Sequence, residues 1–190
     1  MNRKTKSLKL YLLVFLGCIF FSTARSQENA VILNGGYSFA NIEDSGEDAT
    51  GWRINLTYEF NPWNGNLSHG LSVGYISTEA SSDKNTVKTD FKLENWPVYY
   101  APRYSFGTSN LKGFVKGAIG MHFSNYERIG TLGRITTNDS GFYGGLGLGG
   151  NYMLSKYVFL NVEYEWAYLS NYYYRDGNMN SIMGGLGFKF

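Results

Sequence analysis

Trp52-Arg53-Ile54-Asn55-Leu56-Thr57-Tyr58-Glu59-Phe60 alternates without a break. Trp52, Ile54, Leu56, Tyr58 and Phe60 fall on one side, and Arg53, Asn55, Thr57 and Glu59 on the other. In a strand successive side chains point to opposite faces, whereas a helix would scatter both sets around its circumference. Residues 158–168 repeat the pattern, setting Val158, Leu160, Val162, Tyr164, Trp166 and Tyr168 against Asn161, Glu163 and Glu165. Both segments are strands.

Working outward, six further segments fit the template: 30–40, 67–77, 92–106, 111–123, 141–153 and 181–190. Each has about the 9–11 residues of a tilted membrane strand, or slightly more. Pro97 lacks a backbone donor and predicts a bulge or weak edge in 92–106. The connections alternate in length. Residues 61–66, 107–110 and 154–157 are short and turn-like, whereas 41–50, 78–91, 124–140 and 170–180 are longer and polar. Three short turns interleaved with four long loops predict an all-β fold, an eight-stranded antiparallel up-and-down transmembrane β-barrel over residues 27–190.

Alternation alone would also suit a water-soluble barrel with its apolar side inward. Volume separates the two, because eight strands enclose a space barely wide enough for side chains. The apolar side carries roughly five bulky residues per strand of this length, too many to fit inside. The other side is rich in small residues, such as Gly70, Ser72 and Gly74, Ala118 and Gly120, Gly145, Gly147 and Gly149, and Gly185 and Gly187. The large side chains are therefore predicted to face outward. Following the chain up and down, Trp52, Tyr75, Phe123, Phe142, Trp166 and Tyr168 fall near the long-loop end, and Tyr58, Phe60 and Tyr152 near the short-turn end. Ile54, Leu56, Val115, Ile119, Leu146, Leu148, Leu160 and Val162 lie between. Two aromatic girdles around an aliphatic band are what a bilayer selects.

The first residues read as an export signal. Arg3, Lys4, Lys6 and Lys9 precede the apolar run Tyr11–Phe21, and Ala24-Arg25-Ser26 supplies small residues for cleavage after Ser26. That run is too short to span a bilayer as a helix. Leu16-Gly17-Cys18 faintly resembles a lipoprotein cleavage site, but Ile19, Phe20 and Phe21 continue the apolar core beyond the cysteine. Without Cys18 the mature chain has no thiol for a disulfide or a thiolate metal site. Five of the 17 basic residues and none of the 15 acidic ones lie in 1–26, leaving 12 against 15 and a net charge of −3. That balance gives no argument for a nucleic-acid partner.

With signal, strand rhythm and the terminal Ile182-x-Gly184-x-Leu186-x-Phe188-x-Phe190 in view, the whole mature chain resembles the OmpA/OmpX-like family of small outer-membrane barrels. The resemblance implies that Phe188 and Phe190 on the last strand are read by the barrel-assembly machinery. No segment follows Phe190 that would match the peptidoglycan-binding domain of OmpA-like proteins, so the OmpX-like branch is the nearer likeness.

Several groups could carry chemistry. Arg53, Glu59, Lys112, Lys116, Glu163, Glu165 and Lys189 fall on the inward side, where they would line a pore or pair into a plug. Charges in so narrow a space must pair, which favours the plug. Gly145–Gly150 satisfies a G-x-G-x-x-G pattern, but a turn follows it instead of the helix a dinucleotide site needs. Glu43, Asp44, Glu47 and Asp48 crowd the first long loop with no EF-hand spacing and read as solvated. His122-Phe123-Ser124-Asn125 places His122 and Ser124 on one side, as an activated serine would require, with Glu127 or Asp139 to orient the histidine. The tetrapeptide resembles the His-x-Ser-Asn segment of the lipid A 3-O-deacylase family, although there it lies near the chain end. Tyr126, Tyr172, Tyr173 and Tyr174 offer aromatic surface for a partner or belong to the upper girdle.

The expectation is a non-enzymatic integral protein of a Gram-negative-type outer membrane, without cofactor, its termini periplasmic and its long loops extracellular. It would support the envelope or serve adhesion or binding, as the resemblance implies. Its surroundings would be outer-membrane lipid and lipopolysaccharide, with a surface ligand at the loops. The alternatives are a lipid A-modifying hydrolase using His122 and Ser124, and a narrow pore.

Overall fold

The computed structural model describes residues 28–43, 46–84, 87–130, 133–171 and 173–190. The expected export signal, Cys18, Asp44 and Tyr172 lie outside the described residues. Eight strands follow one another: β1 (Glu28–Ile42), β2 (Asp48–Asn61), β3 (Leu67–Lys84), β4 (Val87–Gly107), β5 (Leu111–Gly130), β6 (Gly133–Met153), β7 (Val158–Leu169) and β8 (Tyr174–Lys189). Each pairs antiparallel with the next, and β8 returns to β1 from Ala30↔Lys189 upward, closing the barrel. Within the closed wall each strand has a neighbour on both sides, which an open sheet in a membrane would lack.

The short turns have local causes. In the β2–β3 turn the Asn61 amide donates to the Gly65 carbonyl at 2.6 Å and its oxygen accepts from Gly65 N–H at 3.2 Å. Asn64 takes φ 51°, which asparagine tolerates better than other side-chain-bearing residues.

The other end differs from the sequence reading. Most of 78–91 and 124–140 is strand, not loop: β3–β4 pairing continues to Lys84↔Val87 and β5–β6 pairing to Gly130↔Gly133. β2 accompanies β3 only as far as Thr50↔Glu79, and β7 accompanies β6 only from Tyr143↔Leu169. Strands β3 to β6 therefore rise beyond the closed wall as a four-stranded sheet. Polar residues hid these extensions, because a sheet with water beside it needs no alternating apolar face.

Pro97 causes no bulge. β3–β4 pairing lapses between Val73↔Val98 and Ile76↔Asn95 and resumes in the same register. β4–β5 pairing lapses likewise between Tyr100↔Ile119 and Arg103↔Lys116, around Pro102. The two prolines have opposite parity, so each withholds its missing donor from a different neighbour. The register shift lies between β1 and β8, from Ala40 to Ile42, beside Asp176 (φ 53°) and Gly177 (φ 67°).

Inward and outward faces alternate along every strand. The inward face is not uniformly small: Tyr99, Phe114, Tyr143, Phe159 and Tyr174 are buried there. Glycines opposite them make the room. A Cβ on Gly187 would overlap the Phe159 ring, and one on Gly149 would meet Phe114. Two apolar plugs result. The one toward the long hairpins includes Ile42, Ile76, Phe91, Leu93, Leu169 and Met179, and the one toward the short turns is built on Ala30, Ile32 and Phe159.

Candidate functional site

Between the plugs lies a chain of charges. Arg53 on β2 meets Glu165 on β7 at 2.7 Å, and Glu165 meets Lys116 on β5 at 2.5 Å. Lys116 also pairs with Glu163, whose other oxygen stands 3.9 Å from Arg103 on β4, and Arg103 meets Glu59 at 2.9 Å. Three cations thus alternate with three carboxylates, net zero, with Arg53 and Glu165 wholly buried. Removing an ion from water costs several kcal/mol, offset only when partners surround it. Arg53 is so surrounded: it donates to Asn55 at 3.1 Å, Tyr143 at 2.8 Å, Tyr99 at 3.2 Å and Ser181 at 3.4 Å. Tyr143 in turn donates to Glu165.

The structure thus brings Arg53, Glu59, Lys116, Glu163 and Glu165 together. Lys189 is not among them; it reaches Glu28 at 3.1 Å on the short-turn rim, where its charge stays near water. Arg103 belongs to the set and was missed, although the parity of Trp96, Val98, Tyr100 and Tyr104 already turns it inward. Its guanidinium lies 3.9 Å from the Phe114 ring centroid. Tyr99 and Tyr143 were missed because bulk argued for an outward place.

Higher in the lumen, His122 Nδ1 and Ser124 Oγ are 2.8 Å apart. The serine hydroxyl donates to Asn95 Oδ1 at 2.6 Å, so its proton is directed away from the imidazole. Asn95 donates to Tyr174, which also bonds Thr78 at 2.7 Å. Neither suggested carboxylate orients the ring: Glu127 pairs with Arg134, and Asp139 accepts from Ser140 N–H at 2.8 Å. His122 is sealed from solvent. Tyr174 and Tyr126 are buried inward and Tyr173 stacks on Tyr126 at 4.3 Å, so these rings are not exposed aromatic surface. Gly145–Gly150 lies inside β6. In the first loop Asp48 accepts from Asn41 at 2.8 Å and Glu47 from Ser82 at 3.2 Å.

The raised sheet presents a different surface. Gly133–Gly141 of β6 pair with β5 alone among the described residues, and Arg134 to Asn138 are exposed. The backbone N–H and C=O groups on that edge have no neighbouring strand.

Comparison with known proteins completes the picture. Residues 11–190 match the family model of the outer membrane protein beta-barrel domain. The chain belongs to this family. No curated protein sequence matches it. Among solved structures it is similar to Neisserial surface protein A, with TM-score 0.63, 18% identity, and coverage of 87% of this chain and 100% of that one. It is also similar to Ail, the attachment invasion locus protein of Yersinia pestis, with TM-score 0.52, 17% identity, and coverage of 85% and 99%. At such identities the likeness concerns the fold of small outer-membrane barrels of the OmpA/OmpX-like type. As an outer-membrane barrel, the chain turns its outward face to lipid. That face carries Trp52, Tyr75, Trp96, Phe123, Phe142, Trp166 and Tyr168 toward the hairpins, and Tyr58, Phe60, Tyr104, Tyr152 and Phe188 toward the turns. Trp52, Tyr75 and Trp96 form a ladder with ring centroids 4.9 and 4.5 Å apart.

Proposed function

We propose that this outer-membrane barrel is a non-enzymatic surface-binding protein, its long hairpins outside the cell and its N- and C-termini in the periplasm. The observation that carries the reading is the four-stranded sheet of β3 to β6 with the unpaired β6 edge Gly133–Gly141. Such an edge accepts an extended segment of another chain by main-chain hydrogen bonding, with side chains on alternate positions adding selectivity. The names of the similar proteins, a surface protein and an attachment invasion locus protein, agree with a binding role.

Charge narrows the partner. Beyond the upper girdle the sequence places 11 acidic residues, from Glu43 to Asp176, against six basic ones, net −5. Ail has been crystallised with the heparin analogue sucrose octasulfate. The negative field here favours a neutral or basic extended polypeptide instead. Lipopolysaccharide and outer-membrane lipid surround the barrel in this reading, and Phe188 and Phe190 present the last strand to the assembly machinery.

The hydrolase is weakly supported, because Ser124 spends its proton on Asn95 in a closed site. The pore is weakly supported, because ionic and apolar layers fill the lumen. The test is binding of a neutral or basic peptide array to cells bearing the wild type or a form with 127–136 replaced by an Asn-Gly turn. Loss of binding with unchanged surface level is expected. Equal binding by both forms would sink the proposal. An altered lipid A acyl pattern or discrete bilayer currents would revive the alternatives.

A further inference from the structure

The lipid-facing belt is broken at one position. From the upper girdle to the lower, His69 on β3, level with Phe60, is the only outward-facing His, Lys, Arg, Asp or Glu among the described residues. Its neighbours on that strand are Leu67, Leu71, Val73 and Tyr75. An ionisable group on a membrane-facing surface is costly and calls for a partner.

His69 is also held in place. Its ring stacks between Phe60, at 5.3 Å between centroids, and Tyr100, at 6.0 Å. Trp63, from the β2–β3 turn, stands edge-on at 5.7 Å. Nδ1 lies 2.5 Å from the Tyr100 hydroxyl. Either group can donate in this contact; in the tautomer where Tyr100 donates to Nδ1, the ring carries its proton on Nε2. Trp63 is the most exposed large hydrophobic side chain among the described residues, at 72%. Its indole N–H is a donor only. In that tautomer two N–H-bearing rings, 5.7 Å apart between centroids, share an aromatic frame at the level of the short-turn girdle.

We propose that His69 and Trp63 form a binding site for the phosphate of a phospholipid in the leaflet at the short-turn end. The phosphodiester oxygens are acceptors only and match the two N–H groups. Phe60 and Tyr100 keep water from competing, and the acyl chains continue along Leu71, Val73 and Val98. That this leaflet is the phospholipid one rests on the orientation proposed above; the site itself does not.

The test uses the full mature barrel in micelles. Phosphatidylethanolamine or phosphatidylglycerol is titrated in, and bound lipid is counted by native mass spectrometry, with inorganic phosphate as a separate arm. One saturable lipid is expected on the wild type. About fivefold weaker binding is expected in His69→Leu, which matches the apolar belt, and a smaller loss in Trp63→Phe, which keeps the ring but not the donor. Leu160→Ala, on β7 at the opposite side of the barrel, should leave the affinity unchanged. Equal affinity in wild type and both variants overturns the site. Displacement by inorganic phosphate at lipid-like concentration reduces it to a general anion site and overturns the lipid assignment. Should His69→Leu fail to fold, Trp63→Phe on the exposed turn decides alone. Labelling of a cysteine at Asn64 from outside intact cells would refute the orientation while leaving the micelle result standing.

Discussion

From Tyr99 to Arg103 on β4 and from Lys116 to Ala118 on β5, two strands wall a closed lumen. There every charge has a partner and the charged side chains are buried. The same two strands at Asp90–Lys92 and Arg128–Gly130 stand in an open sheet, where charges are solvated and one edge of the neighbouring β6 is unpaired. Covalent continuity does not set the environment; closure does. Where eight strands meet around an axis, a side chain must fit both the space and the charges across the lumen. Where four strands rise alone, the inward face still packs Phe91 and Tyr126, and beyond them the ladder constrains the sequence.

The largest break in that contrast should come from the lumen. Glu165→Gln leaves Arg53 and Lys116 without their shared carboxylate and should cost about 3–5 kcal/mol in equilibrium unfolding from lipid vesicles. Adding Arg53→Met should recover part of the loss; no loss at all in the single variant would mean the ionic chain does not bear on stability. Next in size is Gly187→Val, which forces a methyl pair into the space of the Phe159 ring and should cost about 1–3 kcal/mol. Gly184→Ala, which points outward with its nearest neighbour 3.8 Å away, is the matched control and should be near neutral. Equal effects would deny that inward glycines are there to admit rings.

Substitutions in the raised sheet should do much less. Thr136→Lys with Asn138→Lys blocks the β6 edge with charge and should shift barrel stability by less than about 0.5 kcal/mol. A loss on the scale of Glu165→Gln would make the sheet part of the folded core. The smallest effect concerns Glu94, outward on β4 beyond Trp96. Lys92 at 3.1 Å, followed by the Tyr75 hydroxyl at 2.9 Å, holds its carboxyl below the ordinary range. A depressed carboxylate contributes stability above the unfolded-state value of about 4.3 that is lost as pH falls through the folded-state value. For so exposed a pair the contribution is about 0–1 kcal/mol and fades with salt. Carbon-detected titration of Glu94 checks the direction, and an ordinary or raised value would contradict it.

Some of the molecule was legible because one residue's role followed from parity. Arg53, Glu163 and Glu165 sit on strands whose alternation is unbroken, and once the bulky face looks out, these must look in. Arg103 followed from the same parity but was masked by Pro97 and Pro102, which make β4 look irregular although its register holds. Lys189 had the right parity and the wrong height: parity says which face, not whether the position lies at a rim. The raised sheet was read as loop because its polar strands lack the two-residue hydrophobic period.

The sequence by itself determined the strand number, the antiparallel order and which face meets lipid, because a period of two and the volume of an eight-stranded lumen leave one solution. Only the tertiary structure decided which charges pair, which rings enter the lumen opposite which glycines, and where the closed wall gives way to an open sheet. Those outcomes depend on register between strands far apart in the chain. Arg53 meets Glu165, and Phe159 meets Gly187, across distances that no local pattern encodes.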